Sequence, residues 1–109
     1  VDEELHELIR ETVRAIPEGR VATYGDVAKL SRAPSARLVG QVLNQDGRDL
    51  PWHRVLKADG TCAPHIAEEQ LQRLREEGVA PVGGKVDVRA YRWEDAVDEP
   101  APEPQGGLW

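Results

Sequence analysis

The densest grouping of polar and aromatic side chains in this chain is Pro51-Trp52-His53-Arg54. A histidine beside a nucleophile is the core of many covalent mechanisms, since the imidazole takes the proton that the nucleophile must lose. Here no serine, threonine or cysteine adjoins His53. Trp52 cannot serve, because the indole nitrogen is a donor only and its lone pair belongs to the ring. The single cysteine, Cys62, lies ten positions past Trp52. One cysteine builds no disulfide within the chain and no thiolate zinc site, and His6, His53 and His65 show no ligand spacing. No metal and no cofactor are expected. Taken alone, the grouping is better described as a core tryptophan flanked by a satisfied histidine and a surface arginine, since aromatic residues mostly serve packing.

The chain has 109 residues, a length that suits one domain with a modest core. Phe and Met are absent, so Leu, Val, Ile and Ala must supply most of the apolar burial. No apolar run is long enough to span a bilayer and no secretory pattern is visible, and one cysteine fits a reducing compartment. A cytoplasmic protein is the expectation. The net charge of −6 is unevenly spread. Glu94, Asp95, Asp98, Glu99 and Glu103 stand beyond Trp93 with no basic residue among them, whereas the segment from Arg20 to Lys57 has seven basic and three acidic side chains. A locally basic surface on a near-neutral domain is compatible with DNA.

These groups have to be positioned by short elements. Leu5, Leu8, Ile9, Thr12, Val13 and Ile16 recur at helical spacing over residues 2–15, and Pro17 and Gly19 end that helix. Arg20 to Tyr24 reads as an extended link. A second helix over Gly25–Ser31 has Val27, Ala28 and Leu30 as its apolar side. After the turn Arg32-Ala33-Pro34-Ser35, a third helix from Ser35 to Gln45 buries Leu38, Val39, Val42 and Leu43. Two short helices joined by a tight turn form a helix-turn-helix pattern. A further helix over Ile66–Glu77 turns Ile66, Leu71 and Leu74 inward and ends at Gly78. Val79 to Val88 reads as extended segments broken by Gly83-Gly84, and Tyr91 and Trp93 as a last anchor. Residues 1–93 form the expected domain. Residues 94–109, rich in Pro and Glu, are expected to be a disordered acidic tail.

Several ordered motifs in this chain resemble one known family. Ile16-Pro17-Glu18-Gly19-Arg20-Val21-Ala22-Thr23-Tyr24-Gly25-Asp26-Val27-Ala28 resembles the opening of the DNA-binding domain of O6-alkylguanine-DNA alkyltransferases. Arg37-Leu38-Val39-Gly40 resembles the recognition-helix motif Arg-x-Val-Gly. Asn44 matches an asparagine of that family. Pro51-Trp52-His53-Arg54-Val55 is similar to the active-site signature Pro-Cys-His-Arg-Val with tryptophan in the cysteine position. Glu77-Gly78 matches the Glu-Gly that closes the next helix. With its Val86-Asp87-Val88 and Tyr91-Arg92-Trp93 ending, the chain is identified as a member of the alkyltransferase-like branch.

The resemblance implies a mostly α fold with short extended segments, a winged-helix-like helix-turn-helix domain of the alkyltransferase C-terminal type. It implies a non-enzyme, since no thiolate receives the alkyl group. The expected function is to bind O6-alkylguanine in double-stranded DNA through the minor groove, to flip the nucleotide, and to flag it to nucleotide excision repair proteins, as a monomer. Tyr24 is expected beside the phosphate 3′ to the flipped nucleotide. Arg37 is expected to fill the space the base leaves. Ser35, Ala36 and Gly40 are small and let the helix approach the groove. Trp52, Pro51, His53, Asn44 and Glu77 are the expected lesion pocket. His53 and Glu77 resemble the pair that activates the thiolate in true alkyltransferases, and Asn44 is expected to tie the recognition helix to the pocket segment. Arg54 either fixes the loop or meets a phosphate.

The chain departs from the pattern in two places. Tyr24 to Arg37 is one residue shorter than usual, which implies a tightened turn at Arg32–Ser35. After Gly60, Thr61-Cys62-Ala63-Pro64-His65-Ile66 replaces a Gly-Tyr-x-x-Gly-like loop. Two alternatives stand beside this reading. One is a helix-turn-helix transcriptional regulator that reads sequence in the major groove, for which Ser35, Ala36, Arg37 and Gln41 offer few base-reading side chains. The other is an alkyltransferase that uses Cys62, which requires a lowered thiol pKa.

Overall fold

The computed structural model describes residues 2–96. Helix α1, Glu3–Arg14, is capped by the Asp2 carboxylate and buries Ile9 and Val13, one turn apart. The chain then passes Ile16 into the two-residue strand β1, Ala22–Thr23, and directly into α2, Tyr24–Ser31. Thr23 and Asp26 close a reciprocal capping box at the start of α2. Tyr24 is therefore the first residue of a helix rather than the end of the preceding link.

Between α2 and α3 (Ala36–Asp46) the turn is as tight as the shortened spacing implies. Arg32 adopts the left-handed region at φ 64°. The Ala33 amide donates back to the Ala28 carbonyl at 2.8 Å, and the chain reverses at once. Ser35 then caps α3, its hydroxyl accepting from the Leu38 amide at 3.2 Å.

After a loop, residues Trp52–Arg54 form a single 3-10 turn that leads into strand β2, Val55–Leu56. A second 3-10 turn, Pro64–Ile66, precedes α4, Ala67–Glu76. The helix expected over Ile66–Glu77 is α4, beginning one residue later because the 3-10 turn started by Pro64 occupies Ile66, and Ile66, expected inside, is only partly buried. A short hairpin pairs Val82 with Lys85, and α5, Val88–Tyr91, leads to the last 3-10 turn, Glu94–Ala96. Ala96 is buried, so the packed structure continues past Trp93. The rest of the expected tail, residues 97–109, lies outside the described residues.

β1 and β2 pair in parallel, Ala22 opposite Val55 and Thr23 opposite Leu56. Successive strand residues point to opposite faces, and this short ribbon uses that to separate two apolar clusters. Ala22 and Val55 join Ile9, Val13, Val27, Val39, Val42 and Trp93 on the side of α1, α2 and α3. Val21 and Leu56 join Leu71, Leu74, Val79 and Val86 on the side of α4. The last segment fastens to the ribbon through Val21, whose amide donates to the Tyr91 carbonyl and whose carbonyl accepts from the Trp93 amide. Gly60 is required where this segment passes, because a Cβ there would stand 2.1 Å from the Val86 carbonyl oxygen.

Two apolar residues expected inside are not buried. Leu8 is 42 % and Leu30 40 % exposed. In α2 the packed face is Val27, Ala28 and Ser31, and the Ser31 hydroxyl is accommodated there by donating to the Val27 carbonyl at 2.7 Å. Leu30 falls at the edge of that stripe. Leu38 and Leu43 of α3 are half-buried, while Val39 and Val42 are inside.

Candidate nucleic-acid interface

An open cleft of about 920 Å³ separates α3 from the Trp52 turn and the start of α4. Tyr24, Ala36, Arg37, Gly40 and Asn44 line one side, and Trp52, Lys57, Ala63, His65 and Arg73 are among those lining the other. Helix geometry explains the first group. Residues 36, 37, 40, 41 and 44 of α3 recur at spacings of three and four, opposite the buried Val39–Val42 stripe. Ser35, at the N-cap, and Arg37 are exposed at the leading end of that helix. A Cβ at Gly40 would meet the Tyr24 ring at 4.0 Å, ordinary contact, so the absence of a side chain there keeps the helix surface low beside the phenol. Burial, and then the neighbouring Cys62 thiol, push the Tyr24 pKa up, so the phenol keeps its proton and remains a donor.

Asn44 was expected to bond to the pocket segment. It is exposed on the cleft side of α3 and makes no side-chain hydrogen bond among the described residues. The helical repeat carries it away from the Val42 face that packs inward.

Trp52 is half-buried and held on two sides. The His53 ring stands perpendicular to the indole at a centroid distance of 6.2 Å. The Arg73 guanidinium lies over the indole at 5.6 Å from its centroid. Pro51, also half-buried, is the residue on which the 3-10 turn begins.

His53 and Glu77 do not line the cleft. They lie behind it, in a network that fixes the Trp52 turn to the end of α4. The His53 Nε2–H donates to Glu77 Oε2 at 2.7 Å. Arg54 donates to both Glu77 oxygens, Nε to Oε1 at 3.0 Å and Nη2 to Oε2 at 2.7 Å. The Gly19 amide adds a fourth bond, to Oε1 at 3.1 Å. Burial alone would push the Glu77 carboxyl up. The bonds from Arg54, His53 and Gly19 win and hold it at about 2. Arg54 also donates to the Ile16 carbonyl at 2.8 Å, which decides between its two expected roles: it fixes the loop. With Nε2 as the donor, His53 Nδ1 is a buried nitrogen with no partner among the described residues.

Sequence reasoning missed two contributors. Gln70 is fully buried, and its amide donates to the carbonyls of His53 at 3.1 Å and Val55 at 2.8 Å. It thereby stitches α4 to the Trp52 turn. Arg73 is held by Glu69, one turn earlier on the exposed side of α4. The Glu69/Arg73 spacing is visible in the sequence, but nothing there tells that the pair faces Trp52. The loop that departs from the family pattern does reach the cleft, through Ala63 and His65.

The Cys62 thiol is half-buried, and burial pushes its pKa up, the reverse of what a nucleophile needs. Among the described residues no group of three or more His, Cys, Asp or Glu side chains is placed to hold a metal ion. No helix among them is long and apolar enough to cross a membrane.

A helix-turn-helix with an exposed arginine at the head of its second helix, facing an open cleft walled by Tyr24 and Trp52, is the arrangement of a DNA-binding domain. Residues 4–79 match the family described as 6-O-methylguanine DNA methyltransferase, DNA binding domain. The chain is 50 % identical over 88 residues to a DNA base-flipping protein of Escherichia coli, covering 74 % of this chain and 67 % of that protein. It is 40 % identical over 104 residues to alkyltransferase-like protein 1 of Schizosaccharomyces pombe, covering 84 % of this chain and 96 % of that one. The fold matches the crystal structure of S. pombe Atl1 in complex with damaged DNA containing O6-carboxymethylguanine, with a TM-score of 0.77 and 30 % identity, covering 86 % of this chain and 98 % of that one. The chain therefore belongs to the alkyltransferase-like, base-flipping branch of this methyltransferase DNA-binding family.

Proposed function

We propose that this protein binds O6-alkylguanine in double-stranded DNA, takes the flipped base into the cleft between α3 and Trp52, and transfers no alkyl group. The observation that carries the reading is the cleft itself. It has Tyr24 and Arg37 on the side of the recognition helix and the Trp52 indole on the other, and Pro51-Trp52-His53-Arg54-Val55 resembles Pro-Cys-His-Arg-Val with tryptophan in the cysteine position. Its volume of about 920 Å³ is ample for a nucleobase with a substituent. An arginine entering the duplex stacks on neighbouring bases and replaces the contacts of the extruded one. The phenol of Tyr24 supplies bulk and a hydrogen-bond donor near the backbone.

The absence of transfer rests on Trp52. Alkyl transfer forms a bond from a nucleophile to the alkyl carbon while the bond from that carbon to guanine O6 breaks. The indole nitrogen's lone pair belongs to the ring and is not available to start the process, and burial moves the Cys62 thiol away from the lowered pKa a substitute nucleophile needs. A protein that holds a lesion without repairing it requires a second activity to remove it. This favours the further step in which the bound complex marks the site for nucleotide excision repair. We take the active species to be a monomer.

Two measurements test this. Affinity at one fixed salt concentration is compared for duplexes that differ only in guanine or O6-methylguanine at a single position. Tighter binding to the lesion is expected; equal affinity sinks the reading. Incubation with duplex labelled in the methyl group should leave all label on the DNA, and label on the protein overturns the non-enzymatic reading.

A further inference from the structure

The wall of the cleft at Trp52 is a paired cation on an aromatic face. Arg73 spends Nε and Nη2 on one oxygen of Glu69, at 3.1 and 2.9 Å. Its Nη1 donors make no hydrogen bond among the described residues. The pair is open to solvent, with side-chain exposures of 48 % for Arg73 and 59 % for Glu69. A pair so exposed is weak, so a second carboxylate competes for the guanidinium on nearly equal terms. The position is also well defined. The indole fixes the guanidinium from below, and the Gln70 amide bonds hold α4 at constant distance from the Trp52 turn.

From this geometry we propose that Arg73 is a specificity-determining residue: it favours O6 adducts whose alkyl group ends in a carboxylate, with Glu69 as the built-in competitor it releases. The inference rests on the lesion-binding reading and names the substrate class within it. Charge, rather than size, is what the pair senses. The two adducts that separate these are O6-carboxymethylguanine and O6-carbamoylmethylguanine, nearly equal in shape and different in charge.

The test measures dissociation constants at one salt concentration for three duplexes, carrying guanine or either adduct at one position, with the unaltered protein, Arg73→Gln and Glu69→Gln. The preference for the carboxymethyl over the carbamoylmethyl adduct should fall about fivefold in Arg73→Gln, the range of a partly exposed ion pair. It should rise in Glu69→Gln, which removes the competitor. Because the two variants move in opposite directions, a folding defect in one does not mimic the result. The same preference in all three proteins overturns the inference. So does a uniform weakening by Arg73→Gln on every duplex, which would make Arg73 a phosphate contact. If the unaltered protein binds both adducts no better than guanine, the lesion-binding reading falls as well. If it prefers both adducts but charge has no effect, only the role of Arg73 falls.

Discussion

An indole offers a bound base two things, an apolar edge and a π face, and at position 52 one face is already covered by Arg73. Trp52→Ala removes the wall and the seat of the guanidinium together. The expected outcome is a loss of discrimination between O6-methylguanine and guanine, with binding to undamaged duplex changed less than twofold or so, since phosphate contacts supply non-specific affinity. An unchanged discrimination ratio would take Trp52 out of the lesion pocket. Arg37 makes the complementary case. It is exposed and has only solvent to lose, so Arg37→Ala should leave thermal stability within about 0.5 kcal/mol. The fluorescence rise of a base analogue at the lesion position should shrink markedly. Undiminished fluorescence would show that another side chain fills the vacated space.

At the scale of elements, α3 carries opposite demands on its two faces. Val39 and Val42 bind it to the core, while Ala36, Arg37, Gly40 and Asn44 form a low outer surface. Gly40 shows the conflict. A glycine inside a helix destabilises it by about 1 kcal/mol relative to alanine, and a Cβ here meets only the Tyr24 ring at 4.0 Å. Gly40→Ala should therefore raise the urea midpoint, by a stability gain of about 0.5–1 kcal/mol, while weakening DNA binding. A variant that is both more stable and equally avid would mean that α3 does not approach the groove closely at this point. The sequence marks α3 as a helix and its packed face by periodicity. It does not tell that the turn before it closes through a left-handed Arg32, because that conformation is imposed by the Ala33–Ala28 hydrogen bond.

For the molecule as a whole, Glu77 is the joint between the start of the domain and its cleft. It gathers Gly19, His53 and Arg54, and Arg54 in turn holds the Ile16 carbonyl. Its carboxyl is held at about 2, against an ordinary 4.5. A depressed folded-state pKa contributes stability that is fully present above the ordinary value and is lost as pH falls through the folded one. Denaturant midpoints should thus decline between about pH 4.5 and pH 2, and Glu77→Gln should flatten that decline. At pH 7 the same variant should cost about 2–3 kcal/mol, because it leaves the Arg54 charge inside without its partner. A pH profile identical in shape for both proteins would assign acid sensitivity to other carboxylates. Asp49 is the first alternative, since its bonds from Arg10 hold it at about 2 as well.

The sequence by itself carried the family motifs, with Trp52 inside one of them, and told where the helices run. The chemistry open to a side chain is a covalent property, so an indole at position 52 is read without a fold, and apolar spacing reports which side of a helix is driven inward whatever it packs against. It also marked Tyr24, Arg37 and Trp52 as one group through motifs scattered over thirty residues. Only the tertiary structure decided which side chains share the cleft. Glu77 and His53 lie behind it, Asn44 lines it without bonding, and Arg73, silent in the sequence, lies on the indole. The reason is the reach of the information. Local pattern fixes a residue's direction from its own helix, whereas its neighbours depend on how α3, α4 and the β1–β2 ribbon are set against one another by the two apolar clusters.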